Sequence, residues 1–314
     1  MRGPSAERRS FLHEHAGDLW IGDALHGPLV LAPDGRVRKS YLLSQLDGAT
    51  RFVPHSYFAL AEDSVAHEHG FKQALLKHGP PRTYYVDLGA AYVSTSLRTI
   101  CAELGIHLLH TEPQDCEAKG GIERWHRTWR EEVGDELPDS PLPLGELNTR
   151  HWAWRSTEYH PRVHSTTGRA PLEHWLSEVE HLRSFPPGTN LDEVFLHRVR
   201  RTVRKDGTVR FDGAFLEVRA ELTGREVELR FDPSEPEARP RVFVKGHFYC
   251  DTVLLDRYRN ATRARRRSLG APEPGVEPTG LDPLAQMKDE HTRRASPIDA
   301  RTTTEDDDDT DQED

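Results

Sequence analysis

The chain has 314 residues, 35% hydrophobic and 30% charged, with a formal net charge of −10. That length suits two folded domains and a tail. No apolar run approaches membrane-spanning length and no charged-then-apolar leader opens the chain, so a soluble, cytoplasmic protein with no membrane partner is expected. The charge is unevenly placed: residues 268–314 hold 14 acids and 4 bases, leaving 38 acids against 38 bases in residues 1–267. Any polyanion must therefore be met by local patches rather than by a basic protein as a whole. Arg outnumbers Lys by 35 to 7, which suits forked contacts to phosphate, although a GC-rich coding sequence gives the same bias. Cys101, Cys116 and Cys250 have no metal-ligand spacing, which fits a reducing compartment. The 18 histidines come with no paired Cys/His spacing either, so no zinc site is expected.

Residues 1–16 read as a flexible arm. Alternating apolar residues predict a first strand through Asp23, a Pro-Asp-Gly turn at 33–35, a second strand near 39–46 and a third near 51–58. Val65, Phe71, Leu75 and Leu76 predict a helix over 63–78, stopped by Gly79-Pro80-Pro81. A short strand over 83–87 ends at Asp87, Ser94 opens a helix, and 107–110 form another strand. Over 118–136, Ile122, Trp125, Trp129 and Val133 recur at helical spacing, leaving Glu123, Arg127 and Arg130 on another face. A further helix spans 143–158 and carries Trp152 and Trp154. The order fits a mixed five-stranded sheet flanked by helices, a core over 17–176. Residues 177–191, with Phe185-Pro186-Pro187-Gly188, read as a linker. Residues 192–260 alternate apolar and polar between Asp206-Gly207, Asp212-Gly213 and Thr223-Gly224, which predicts a small antiparallel β-barrel. Residues 261–314, basic at 263–267 and then acidic, read as a disordered tail.

Three acids stand out. Asp23 lies in Trp-Ile-Gly-Asp, Asp87 ends Tyr-Tyr-Val-Asp, and Glu123 follows Lys-Gly-Gly-Ile at a helix start; 35 residues separate the last two. Singly, each has a plainer explanation as a strand-end turn, a loop cap or a helix-start acid. Together they make a hard-oxygen set suited to two divalent cations about 3.5–4 Å apart.

With their flanks, these residues resemble the Asp-Asp-Glu transposases and retroviral integrases. Residues 17–28 and 41–51 look like the first two strands of integrase-type insertion-sequence transposases. Residues 84–91 and 101–130 look like their second and third acidic motifs, and 159–175 like the tail of that core. Residues 192–258 resemble the β-barrel that follows the core in Mu-type transposases. The resemblance implies a ribonuclease-H-like fold in which Asp23, Asp87 and Glu123 are catalytic and hold two Mg²⁺ or Mn²⁺ ions. The implied reaction is DNA strand cleavage and strand transfer during transposition. The implied partner is DNA, both element ends and target, bound by a homo-oligomer in the nucleoid. Lys119, Arg124, Arg127 and Arg130 around Glu123 would then meet phosphates. So would Arg201 and Arg204, with Arg198, Arg200 and Lys205, on the barrel. A solvated helix start and a charge-guarded edge strand explain the same residues without DNA.

Three departures from the pattern keep a second reading open. Leu88 stands where relatives carry Asn, the loop 112–117 is acidic, and the chain begins about twenty residues before Asp23, where relatives carry a helix-turn-helix region. On that reading the chain is N-terminally truncated, or is a non-catalytic DNA-binding remnant or regulator. A ribonuclease-H-like nuclease without strand transfer is a third, weaker alternative.

Overall fold

The computed structural model describes residues 14–87, 94–110 and 116–255, with side chains in the last segment from Gly120 onward. The predicted arm to residue 13, Leu88, most of the acidic loop, the Lys119 side chain and the tail from 256 lie outside the described residues. Strands β1 (Leu19–Leu31) and β2 (Val37–Asp47) form a long antiparallel hairpin. Gly35, at φ 78°, closes its turn. The register shifts between His26 and Leu29, beside Pro28, which has no N–H to donate to the ladder. Strand β3 (His55–Ala59) pairs with β2. It starts later than the sequence predicts, because Arg51 takes φ 63° and Pro54 interrupts the backbone donors.

Helix α1 (Ser64–His78) is capped by Asp63, whose carboxylate accepts from the Ala66 N–H, and ends at Gly79 with φ 76°. Strands β4 (Thr83–Val86) and β5 (His107–His110) run parallel to each other, joined through α2 (Thr95–Glu103), which Ser94 caps. The sheet order is β3-β2-β1-β4-β5, with β1 and β4 parallel and β2 antiparallel to β1. This is the ribonuclease-H-like arrangement of a mixed sheet flanked by helices. A sixth strand was not predicted: β6 (Leu142–Pro143) pairs with Val30 and Leu31 at the far end of β1.

The alternation of β1 and β4 divides the core into two layers. Trp20 and Tyr84 pack with Phe71, Leu97, Ile100 and Trp175. Leu19, Ile21 and Tyr85 pack on the other side with Ile122, Trp125 and Tyr159. The second group includes residues of α3 (Cys116–Glu132), which stops before the predicted 136 and passes into a 3-10 turn at Gly134–Glu136. Helix α4 (Leu144–Trp154) likewise ends early, and Arg155–Tyr159 continue as a π turn. Helix α5 (Pro171–Ser177) completes the core.

The segment read as a linker is pinned to the core. Leu182 and Phe185 pack against the first layer, and the Arg183 guanidinium donates to the carbonyls of Pro81 (2.9 Å) and Gly105 (3.0 Å). A short α6 (Leu191–Val194) follows. The C-terminal strands are β7 (His197–Thr202), β8 (Thr208–Phe211), β9 (Ala214–Glu217), β10 (Glu226–Phe231), β11 (Arg241–Val244), β12 (His247–Asp251) and β13 (Val253–Leu254). Among the described residues they pair as two sheets, β12-β11-β10-β7 and β13-β9-β8, rather than as one closed barrel. Both sheets share a core of Val203, Val209, Leu216, Val227, Leu229 and Val242.

Candidate active site

The site is organised by one register. Gly22 of β1 lies opposite Val86 of β4 in a parallel pairing, and the next residues are Asp23, still within β1, and Asp87, just past the end of β4. Gly22 is required there: a Cβ would come within 2.3 Å of the Tyr84 hydroxyl. Asp23 stands opposite Ser44 of β2, and the Ser44 hydroxyl accepts from the Trp125 indole N–H at 3.0 Å. That bond, with the burial of Ile122 and Trp125, fixes α3 across the sheet. At Gly121, near the helix start, a Cβ would fall 2.4 Å from the Arg51 guanidinium, the flexible end of a side chain that could move aside.

Strand pairing therefore puts two of the three predicted acids at adjacent strands, and the third, Glu123, lies on α3 three residues before His126, the helix residue that approaches Asp23. Glu123 points from an exposed position. His126, on the next turn of the same helix, places Nδ1 3.7 Å from an Asp23 carboxylate oxygen, and that Asp23 side chain keeps 27% of its exposure. Burial, helped by the charge of Arg130, pushes His126 down to about 3. A neutral imidazole therefore sits beside Asp23 and leaves its negative charge uncompensated by this neighbour. The sequence reading missed His126. Its signal was the three-residue step from Glu123, which puts both residues on adjacent parts of one helical face.

The carboxylate donor set is hard and oxygen-only, which fits Mg²⁺ or Mn²⁺. Among the described residues, donor atoms of Asp23, Asp87 and Glu123 do not gather within 4.8 Å of one another. A two-ion site does not require that. Ions about 4 Å apart, each bonded at about 2.1 Å, put donors at opposite ends up to roughly 8 Å apart.

The predicted basic residues behave differently from one another. Arg124, Arg127 and Arg130 are exposed along α3, and Arg124 donates to the Thr166 hydroxyl at 2.9 Å. On β7, which is an edge strand, Arg200 and Arg201 are exposed, and the Arg201 guanidinium donates to the carbonyls of Arg200 and Arg210. Arg204 is exposed and lies over the Phe215 ring at 4.7 Å, and Lys205 beside it is exposed too. Arg198 is a correction. It pairs with both carboxylate oxygens of Glu103 on α2, so it fastens β7 to the core rather than facing DNA. His197 does the same through Glu68 at 2.6 Å. The split runs along the strand rather than between its faces: His197 and Arg198 at its start meet Glu68 and Glu103, whereas Arg200 and Arg201 further on are exposed.

Residues 192–251 match the Mu transposase C-terminal family. Over 120 residues, 38% of this chain, the sequence is 26% identical to the Retrovirus-related Pol polyprotein from transposon 412 of Drosophila melanogaster. The match spans 9% of that polyprotein. Among solved structures, the HTLV-2 integrase catalytic core in complex with magnesium is 21% identical, covering 50% of this chain and 95% of that one, with a TM-score of 0.40. The BIV integrase catalytic core is 18% identical, covering 52% of this chain and 97% of that one, with a TM-score of 0.41. No helix among the described residues is long and apolar enough to cross a membrane. Residues 192–251 are thus similar to a Mu-type transposase C-terminal domain, and a stretch of 120 residues is similar to a transposon Pol polyprotein of which the chain spans only a small fraction.

Proposed function

We propose that the chain cuts and joins DNA strands as an Asp-Asp-Glu transposase, with Asp23, Asp87 and Glu123 holding two Mg²⁺ or Mn²⁺ ions. The observation that supports this reading is the parallel β1–β4 register, in which Gly22 pairs with Val86 and Asp23 and Asp87 are the next residues of their chains, with His126 of the helix bearing Glu123 3.7 Å from Asp23. Asp23, central in the sheet, would be shared between the ions; Asp87 would hold one and Glu123 the other. Divalent ions bound there would supply activation of the attacking hydroxyl and stabilisation of the departing oxygen. The protein's own groups position the reacting strands and form no covalent bond to them. A water cuts the phosphodiester at an element end, freeing a 3′-hydroxyl. That hydroxyl then attacks a target phosphodiester.

Exposed Arg124, Arg127 and Arg130 on α3, with the Lys119 position before them, would run DNA phosphates past Glu123. Exposed Arg201 and Arg204 would extend that contact on the C-terminal domain. DNA ends held in pairs call for more than one copy of the chain, so a homo-oligomer on DNA is part of the proposal.

The second reading, a DNA-binding remnant without chemistry, is favoured by Leu88, which has no amide to position DNA or a water at that point. Metal removal separates the two. With EDTA, strand cutting and joining on a branched DNA substrate should stop, and Mg²⁺ or Mn²⁺ should restore it, while DNA affinity changes little. Activity that survives EDTA would count against the proposed site.

A further inference from the structure

Outside the catalytic region, one cluster has metal-binding chemistry that nothing in the proposed reaction uses. His15 Nδ1 lies 2.8 Å from Glu178 Oε2, and His181 Nε2 lies 3.8 Å from the same oxygen. The donor atoms of these three residues all fall within 4.8 Å of one another, the one group of three so arranged among the described residues. The two imidazoles stack with centroids 3.8 Å apart and planes 11° from parallel, which keeps both rings beside the Glu178 carboxylate.

We propose that His15, Glu178 and His181 form a binding site for a borderline divalent transition metal, Zn²⁺ in the first instance. Two imidazoles and one carboxylate select Zn²⁺, Co²⁺ or Ni²⁺ over Mg²⁺, whose preferred ligands are oxygens alone. Tetrahedral bonds of about 2.0–2.1 Å set donors roughly 3.3 Å apart. The two separations from the Glu178 oxygen bracket that value, and ion binding requires one imidazole to turn out of the stack so that both in-plane lone pairs converge. Three protein donors leave a fourth position for water.

The position gives the site a structural consequence. His15 precedes β1, which carries Asp23, while Glu178 and His181 lie just after α5 at the start of the pinned segment. A metal there would tie the entry of the catalytic core to its exit. Neighbouring contacts already follow this seam: the Gly17 N–H donates to the buried Asp47, Ala16 is buried, and Leu182 lies 3.1 Å from where a Gly17 Cβ would sit. The sequence could not announce the site, because His15 and Glu178 are 163 positions apart.

The test uses the full chain stripped of metal and held in excess Mg²⁺, with Zn²⁺ or Co²⁺ as the added probe. Zn²⁺ binding is measured by calorimetry, melting temperature by circular dichroism, and Co²⁺ coordination by its visible absorption. About one equivalent of Zn²⁺ should bind, raise the melting temperature, and be replaced by Co²⁺ with the intense bands of a four-coordinate site. His15→Ala and His181→Gln should each weaken Zn²⁺ binding at least about tenfold and remove the melting-temperature rise. Their metal-free melting temperatures should stay near wild type, which guards against a folding artefact. Asp23→Asn should leave Zn²⁺ binding unchanged, which separates this site from the proposed catalytic one. No Zn²⁺ binding by the wild-type chain, or equal binding by wild type and both histidine variants, would overturn the proposal.

Discussion

Asp23→Asn should abolish strand transfer, lowering the rate at least about a thousandfold, which is roughly 4 kcal/mol of transition-state stabilisation. The amide keeps the size of the carboxylate but removes the charge that offsets two cations. Asp23 is the position where this loss is greatest, because it lies on the central strand between β2 and β4 and would be shared by both ions. Its neighbour His126 cannot substitute, since burial keeps the imidazole neutral and offers no anion. The substitution should not unfold the chain: the packing around it comes from Leu19, Ile21, Trp125 and Tyr85 rather than from the carboxylate. The check is a Mn²⁺-supported joining assay beside DNA affinity and melting temperature. Glu131→Gln, an exposed acid on the same helix, serves as the neutral comparison and should keep wild-type activity.

Mild acid should destabilise the chain steeply. His55, His126 and His160 are pushed down to about 3 and His67 to about 4, each chiefly by burial. All four are at most 6% exposed. Their folded pKa values lie below the unfolded value of 6.5, so above pH 6.5 both states are neutral and no penalty exists. As pH falls below 6.5 the unfolded chain takes up protons that the folded chain refuses, and stability drops until the folded values near 3–4 are reached. By pH 5 each such histidine costs up to about 2 kcal/mol, since one pH unit is 1.36 kcal/mol.

Asp47 acts in the opposite sense. Burial raises it to about 6, partly offset by hydrogen bonds from Thr50 and Gly17, so its neutral form favours the fold as pH falls below 6. One such group offsets about 1 kcal/mol between pH 6 and 5, and the four histidines prevail. The net loss of several kcal/mol is comparable with the whole stability of an ordinary domain, about 5–15 kcal/mol. The melting temperature should therefore fall by more than about 10 °C between pH 7 and pH 5. A melting temperature unchanged over that range would show that these histidines titrate normally in the folded chain.

The main lines of the fold were legible because local signals agreed with one another. The first strand, the Pro-Asp-Gly turn, the Asp63-to-Gly79 helix and the short strand before Asp87 all carry period, cap and stop in the same few residues. The ends were less legible. Arg51 at positive φ delays β3, and the turn after Glu132 shortens α3, because both depend on tertiary packing. β6 is two residues long and pairs with a strand more than a hundred positions earlier, so no local period could announce it.

For the candidate site, sequence placed Asp23 and Asp87 on separate strands but could not supply the Gly22–Val86 register that makes them neighbours. It missed His126, which reads as one more polar residue on a helix until the sheet beneath is known. It also gave Arg198 the same standing as Arg201, although the first reaches Glu103 across the C-terminal domain boundary and the second is exposed. Charge patterning identifies a basic strand, whereas only packing identifies which of its residues are already engaged.

The central claim, that Asp23, Asp87 and Glu123 form one working centre, is tested most directly on a branched DNA mimic of the strand-transfer product with Mn²⁺. Wild type and Glu123→Gln are compared at equal DNA occupancy. The account predicts that wild type resolves the branch and Glu123→Gln does not, with both proteins folded and bound to DNA. Resolution by both would remove Glu123 from the centre, and resolution by neither, from folded protein that still binds DNA, would contradict catalysis and identify the chain as a binding remnant.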